Sequence, residues 1–181
     1  MAGEKPKESG LEEYPKKTII IENLALIMWI ALGALAASYV SMELAIAYVA
    51  FAALMLLFVL RKLLCTHCHY YGKWCHIGWG KLTSLLFAKG NPEEFNTGLG
   101  QKLVPVTYGL LMMVPILALI FSMLGAFTLE KLALLVAIFL VSGFSGFIAR
   151  KKSCAVCKMR CNCKGCAVKC AKNGSVGGID Q

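Results

Sequence analysis

Nine cysteines fall in two short basic stretches of this chain, and none lies inside an apolar run. The first stretch is Cys65-x2-Cys68-x6-Cys75-His76, with His67 and His69 interleaved. The second is Cys154-x2-Cys157-x3-Cys161-x-Cys163-x2-Cys166-x3-Cys170. Thiolates and imidazoles at such spacing are ligands for soft and borderline metals. A C-x2-C pair can hold one ion from a single turn, and zinc takes about four donors in a tetrahedron. Cys65, Cys68 and Cys75 with His76 make a three-Cys, one-His set; the alternative is a three-Cys set completed from the tail. A bland reading, buried thiols and interfacial histidines without ligand duty, stands beside it. So does a Cys–His nucleophile and base, although three histidines among three cysteines favour ligation over catalysis.

The tail repeats one unit, C-x2-C-x3-C, first at Cys154, Cys157 and Cys161 and again at Cys163, Cys166 and Cys170. If the preceding helix continued through it, Cys154 and Cys161 would stand about 10 Å apart along the axis, too far for one metal. A break is therefore expected, with Asn162 and Gly165 as the residues suited to it. Bacterial ferredoxins use C-x2-C-x2-C-x3-C-P. Here the third spacing differs and no cysteine precedes proline, yet three local thiols plus Cys65, Cys68 or Cys75 suffice for a cluster. In its alternating C-x-C and C-x2-C spacing with interspersed lysines, the stretch 153–172 resembles metallothionein. That resemblance implies zinc or another soft ion held as a thiolate cluster. The competing readings are redox-active thiols and lipidation, chiefly at Cys65 and Cys154. Zinc or an iron–sulfur cluster is the expected cofactor, with the choice open.

These residues must be positioned by a very apolar scaffold. The 181 residues are 58% hydrophobic and 16% charged, with a mean hydropathy of +0.66. So few charges cannot cover the surface of a soluble domain of this length. Four runs, 19–40, 44–60, 103–127 and 132–149, are long enough as helices to cross a hydrocarbon core of about 30 Å. The first run follows a polar arm and lacks a clean cleavage site, so it reads as a retained span rather than a signal peptide. All Lys and Arg except Lys131 lie in the N-terminal arm, the central loop or the tail. The positive-inside rule then places all three on the cytoplasmic side, a reducing compartment. The formal net charge of +9 is explained by that topology, without nucleic acid.

The expected fold is an all-α integral membrane protein of four transmembrane helices in two hairpins, carrying a small Cys/His-rich cytoplasmic cap. Its organisation reads as a mobile polar arm (1–17), hairpin one (18–64), a cytoplasmic Cys/His loop (65–102), hairpin two (103–149) and a basic tail (150–181). Gly33-x-x-x-Ala37 and Ser142-x-x-x-Gly146 suggest close helix packing. Pro105 and Pro115, with Met112, Met113 and Met123, mark a helix that a transported ion would need. Trp79, Leu82, Leu85 and Leu86 predict a short interfacial helix, and Asn91-Pro92-Glu93-Glu94 a helix start. Tyr70, Tyr71, Trp74 and Trp79 fit an interfacial belt, and Glu22 and Asn23 a solvated helix end. The leading expectation is a membrane-embedded metal protein serving redox chemistry, electron transfer or soft-metal handling. Its partners are then the lipid bilayer and a redox or membrane-complex protein. The alternatives are a soft-metal ion transporter and a zinc-stabilised structural or assembly subunit.

Overall fold

The computed structural model describes residues 10–168, which form helices and turns with no strand among them. Four helices are long and apolar enough to cross a membrane: Lys16–Ser38, Met42–His67, Pro92–Gly125 and Leu129–Ala155. The first packs against the other three. Small residues make that central place possible, since Ala36 and Ala37 are fully buried beside Leu119 and Ile138. Gly33 lies against Tyr48, whose hydroxyl a Cβ would strike. The pair expected from Gly33-x-x-x-Ala37 is thus a close approach. Ser142-x-x-x-Gly146 is not, because a Cβ on Gly143 or Gly146 would meet nothing within 4 Å.

Each hairpin turns on a capped helix start. Ser41 Oγ accepts from Leu44 N–H at 3.1 Å, and Thr128 Oγ1 from Lys131 N–H at 3.5 Å. Lys131, the cation at this far end, donates to the Ser122 and Ala126 carbonyls that end the third helix. A lysine there caps the helix end, adding a donor to the Ser122 carbonyl that also accepts from Ala126 N–H and reaching the Ala126 carbonyl beyond it. Proline leaves a carbonyl without its intrahelical partner inside the third helix. Pro115 has no N–H to give Leu111, and Tyr48 Oη donates to that Leu111 oxygen at 3.0 Å instead. Tyr48→Phe removes this donor to the Leu111 carbonyl and should cost about 1–3 kcal/mol, measured as a lowered unfolding midpoint in detergent.

At the opposite, basic end the second and fourth helices both loosen before they stop. Leu54–Val59 and Phe144–Ala149 are π-helical turns, with Leu60 N–H reaching back to Met55 and Arg150 N–H to Ser145. The fourth helix then ends at Ala155, earlier than Asn162, and the tail continues as turns through Cys157, Met159 and Cys163. The loop helix spans Trp79–Leu86. Asn91 caps a 3-10 helix, Pro92–Asn96, through Oδ1 and Glu93 N–H.

The two hairpins are a repeat. Each begins with a glycine, two glutamates and a buried aromatic (Gly10…Glu12-Glu13-Tyr14 and Gly90…Glu93-Glu94-Phe95). Each turns on a hydroxyl cap followed by glutamate (Ser41-Met42-Glu43 and Thr128-Leu129-Glu130), and each ends with a π turn and R-K-x2-C-x2-C (Arg61 to Cys68 and Arg150 to Cys157). The leading arms are exchanged. Leu11 N–H donates to Val156 O in the second C-x2-C turn, and Gly90 N–H to Thr66 O in the first. Both glycines are pressed against the other repeat's turn, Gly10 on Lys158 and Gly90 on the His67 ring.

Candidate thiol site

The thiols collect at the basic end, in a cap made from arm, loop and tail. The arm is its strap. Residues 1–9 lie outside the described residues, but from Gly10 the chain is held on both sides. Tyr14 N–H donates to Trp74 O at 2.9 Å, and Tyr14 Oη to Ser153 O at 2.7 Å. Glu12 pairs with Lys73 of the loop and Lys158 of the tail. Tyr70 is 2% exposed. It donates to Leu11 O at 2.7 Å and accepts from Lys158 N–H at 3.1 Å. It is therefore a buried joint rather than a belt residue. Asn23 likewise leaves solvent to donate to Ile77 O at 2.8 Å, docking the loop on the first helix. Asn96 joins loop to tail a second time, through Asn162 O and Lys164 N–H.

Cys65, Cys68 and Cys75 are brought together beneath this strap. Cys65 sits at the end of the second helix beside the fully buried Thr83 hydroxyl. Cys75 Sγ accepts from Gly80 N–H at 3.4 Å. Gly80 can lie so close only without a Cβ, which would strike the Tyr70 carbonyl. Burial pushes the Cys68 thiol up to about 12, and the neighbouring Cys65, Cys75 and Cys157 add to that rise. Cys157, the corresponding cysteine of the other repeat, is raised chiefly by burial, while hydrogen bonds from Tyr14 and Tyr70 act the other way. Neutral thiols at pH 7 are poor nucleophiles, which weighs against a Cys–His catalytic pair.

His76 lies beside Tyr14, whose hydroxyl also reaches Cys157. Its ring lies 6.0 Å from Tyr14. Burial, helped by Arg150, depresses it to about 4. His67 Nδ1 is engaged with Asn91 O at 2.8 Å. Cys157 also acts on the Cys68 thiol, so a four-thiol set stands as a candidate beside the three-Cys, one-His set. Beside it lies Arg61, 3% exposed, with its guanidinium 4.8 Å over the Trp79 ring and its Nε without a hydrogen-bond partner. A buried cation of this kind favours an anionic neighbour, and Cys65 and Cys75 are the groups whose charge it feels.

Cys154, Cys163 and Cys166 form a second group in the tail. Ala167 N–H donates to Cys154 Sγ at 3.5 Å, and Gln101 Nε2 to Cys163 Sγ at 3.9 Å. Burial raises the Cys166 thiol, with Cys154 and Cys163 adding. Cys161 is disulfide-bonded and so stands apart from the seven free thiols; Cys170 lies outside the described residues. Among the described residues no three His, Cys, Asp or Glu side chains are gathered closely enough to hold a metal ion as they stand. A cysteine that changes χ1 well moves its sulfur by about 3 Å, so coordination would require such rotations.

Sequence reasoning passed over Tyr14, Thr83 and any link of Cys157 to the loop thiols, and took Tyr70 for a belt residue. The duplicated R-K-x2-C-x2-C, with its matching acidic and aromatic arms, was the signal that pairs loop with tail. No protein-family model, curated protein or solved structure matches the chain.

Proposed function

We propose that this chain is a multi-pass membrane protein that binds a soft metal or an iron–sulfur cluster through thiolates at its cytoplasmic face, in the service of redox chemistry or metal handling. What supports this reading is a cap in which arm, loop and tail bring both C-x2-C turns to one end, Tyr70 of the loop donating to Leu11 O and accepting from Lys158 N–H next to Cys157, with Cys65, Cys68, Cys75 and Cys157 as the candidate thiols. Four thiolates are the donor set of tetrahedral zinc and of cubane clusters. The buried Arg61 guanidinium supplies the countercharge that such an anionic centre needs. The bilayer assignment is supported by the four apolar helices and by large outward-facing side chains such as Phe121, Leu124 and Phe147, which are 69%, 82% and 79% exposed. The cytoplasmic assignment rests on the concentration of Lys and Arg at the cap end.

A zinc-stabilised assembly subunit is the second reading. It is favoured by the lacing of arm, loop and tail around the same thiols, because a metal there would staple three segments. Passage of an ion along the third helix has less support, since the carbonyl freed by Pro115 is already engaged by Tyr48.

Total metal and sulfide analysis with an optical spectrum, on full-length protein purified anaerobically in detergent, tests the proposal. Iron, sulfide and a visible absorption that bleaches with dithionite are expected for an electron carrier. Stoichiometric zinc in a colourless protein assigns the stapled cap. Free thiols with no bound metal overturn both.

A further inference from the structure

A cavity of about 380 Å³ opens where the loop meets the first helix, at the basic end of the bundle. The loop is pinned there by Asn23, which donates to Ile77 O at 2.8 Å. Gly78 then turns at φ 80° against Ile19, whose Cγ2 a Cβ would approach to 2.8 Å. Glycine takes that conformation and that approach together without strain. The chain enters the helix Trp79–Leu86, whose Lys81, Leu82 and Leu85 line the cavity, and Arg61 reaches it from the last turn of the second helix.

Two cations therefore share one hollow, and each lies over an indole. Arg61 Cζ is 4.8 Å from the Trp79 ring centroid, and Lys81 Nζ is 5.2 Å from that of Trp74. The rings hold the cations in place without neutralising them. No carboxylate lines the cavity, and neither cation has a carboxylate partner among the described residues. Arg61 is 3% exposed, with its Nε unbonded. A buried donor left without a partner costs free energy that an acceptor anion would recover. A guanidinium has more N–H donors than one neighbour can take, so a role beside the thiols does not exhaust it. The rest of the wall is apolar, and its Leu82 and Leu85 are 43% and 77% exposed.

We propose that this cavity binds the phosphate of an anionic phospholipid from the leaflet at the basic end, between Arg61 and Lys81, with the acyl chains against Leu82 and Leu85. The planar guanidinium suits two phosphate oxygens, and the Lys81 ammonium adds a point charge. A free phosphate would leave the apolar wall uncovered, whereas a lipid covers it. Basic pockets beside membrane helices on the cytoplasmic side favour anionic head groups, and a short helix with outward leucines places them at acyl-chain depth. The inference rests on the bilayer assignment and not on whether the thiols hold metal.

The test is native mass spectrometry of full-length protein in detergent, titrated with dioleoylphosphatidylglycerol or dioleoylphosphatidylcholine. The first phosphatidylglycerol should bind about tenfold or more tighter than the first phosphatidylcholine. Lys81→Gln changes an exposed side chain, so the fold should survive it, and it should weaken the phosphatidylglycerol adduct about fivefold. Arg61→Gln should weaken that adduct at least as much. Lys89→Gln removes the same charge from an exposed loop position outside the cavity and should change nothing. Equal binding of the two lipids would mean ordinary annular lipid, and equal losses in Lys81→Gln and Lys89→Gln would mean diffuse surface charge. Displacement of the lipid by excess inorganic phosphate would assign the cavity to the free anion. Each of these three results overturns the inference and leaves the metal reading standing. Protein that stays dispersed without detergent would overturn the bilayer assignment and this inference together.

Discussion

Cys68→Ser and Cys157→Ser are each expected to strip the bound metal from the full-length protein, while His76→Ala leaves it at the wild-type level. Both cysteines come from C-x2-C turns of different repeats, and they are neighbours only because the arms are exchanged. Losing either leaves three thiols, and the loss of affinity should exceed the roughly 10–100-fold that removal of an outer partner costs. His76 lies beside Tyr14 and feels the charge of Arg150; with Cys157 as the fourth ligand, its removal should leave chelator competition unchanged. Metal lost from His76→Ala but kept by Cys157→Ser would restore the three-Cys, one-His set.

Tyr14→Ala should open the cap more than any other single change outside the ligands. Tyr14 is 6% exposed, packs edge-on to Tyr70 with ring centroids 5.6 Å apart, and holds the Ser153 carbonyl. Truncating a buried aromatic typically costs about 3–5 kcal/mol. Because every 1.4 kcal/mol or so is tenfold, alkylation of Cys157 in chelator-treated protein should accelerate by roughly two to three and a half orders of magnitude. Phe95, 7% exposed in the corresponding arm, should behave alike toward the loop thiols. Tyr14→Phe keeps the ring and loses one hydrogen bond, so its effect should be about 1 kcal/mol. Equal alkylation rates in wild type and Tyr14→Ala would mean that the strap does not guard the thiols.

The helices were legible because run length and the i, i+3, i+4 pattern are local properties. They placed the four long apolar helices, the loop helix beginning at Trp79 and the Asn91 cap, although the helices reach His67, Pro92 and Ala155, six to eleven residues beyond the apolar runs. The π turns were not legible, since a one-residue slip of hydrogen bonding in a uniformly apolar segment leaves no compositional mark. Nor was the fixed part of the arm. Leu11 and Tyr14 are two apolar side chains in a polar, Pro- and Gly-broken stretch, and their value appears only when Tyr70 and Ser153 surround them. Spacing along the chain singled out Cys65, Cys68 and Cys75 as candidate ligands. It could not say which end of the chain supplies a fourth, and His76, the next residue after Cys75, was the local choice. The tail's own C-x2-C-x3-C duplication also drew the eye from a longer one. Arg61-Lys62-x2-Cys65-x2-Cys68 recurs at Arg150 to Cys157, each time after the second helix of a hairpin, and its meaning is three-dimensional.

X-ray absorption at the edge of the bound metal, on anaerobically purified full-length protein, reads the first coordination shell directly. If the cap thiols hold the metal, the shell should be sulfur alone, at about 2.3 Å. A shell dominated by nitrogen or oxygen at about 2.0–2.1 Å would contradict a thiolate centre, because the metal would then sit on histidines, carboxylates or water instead.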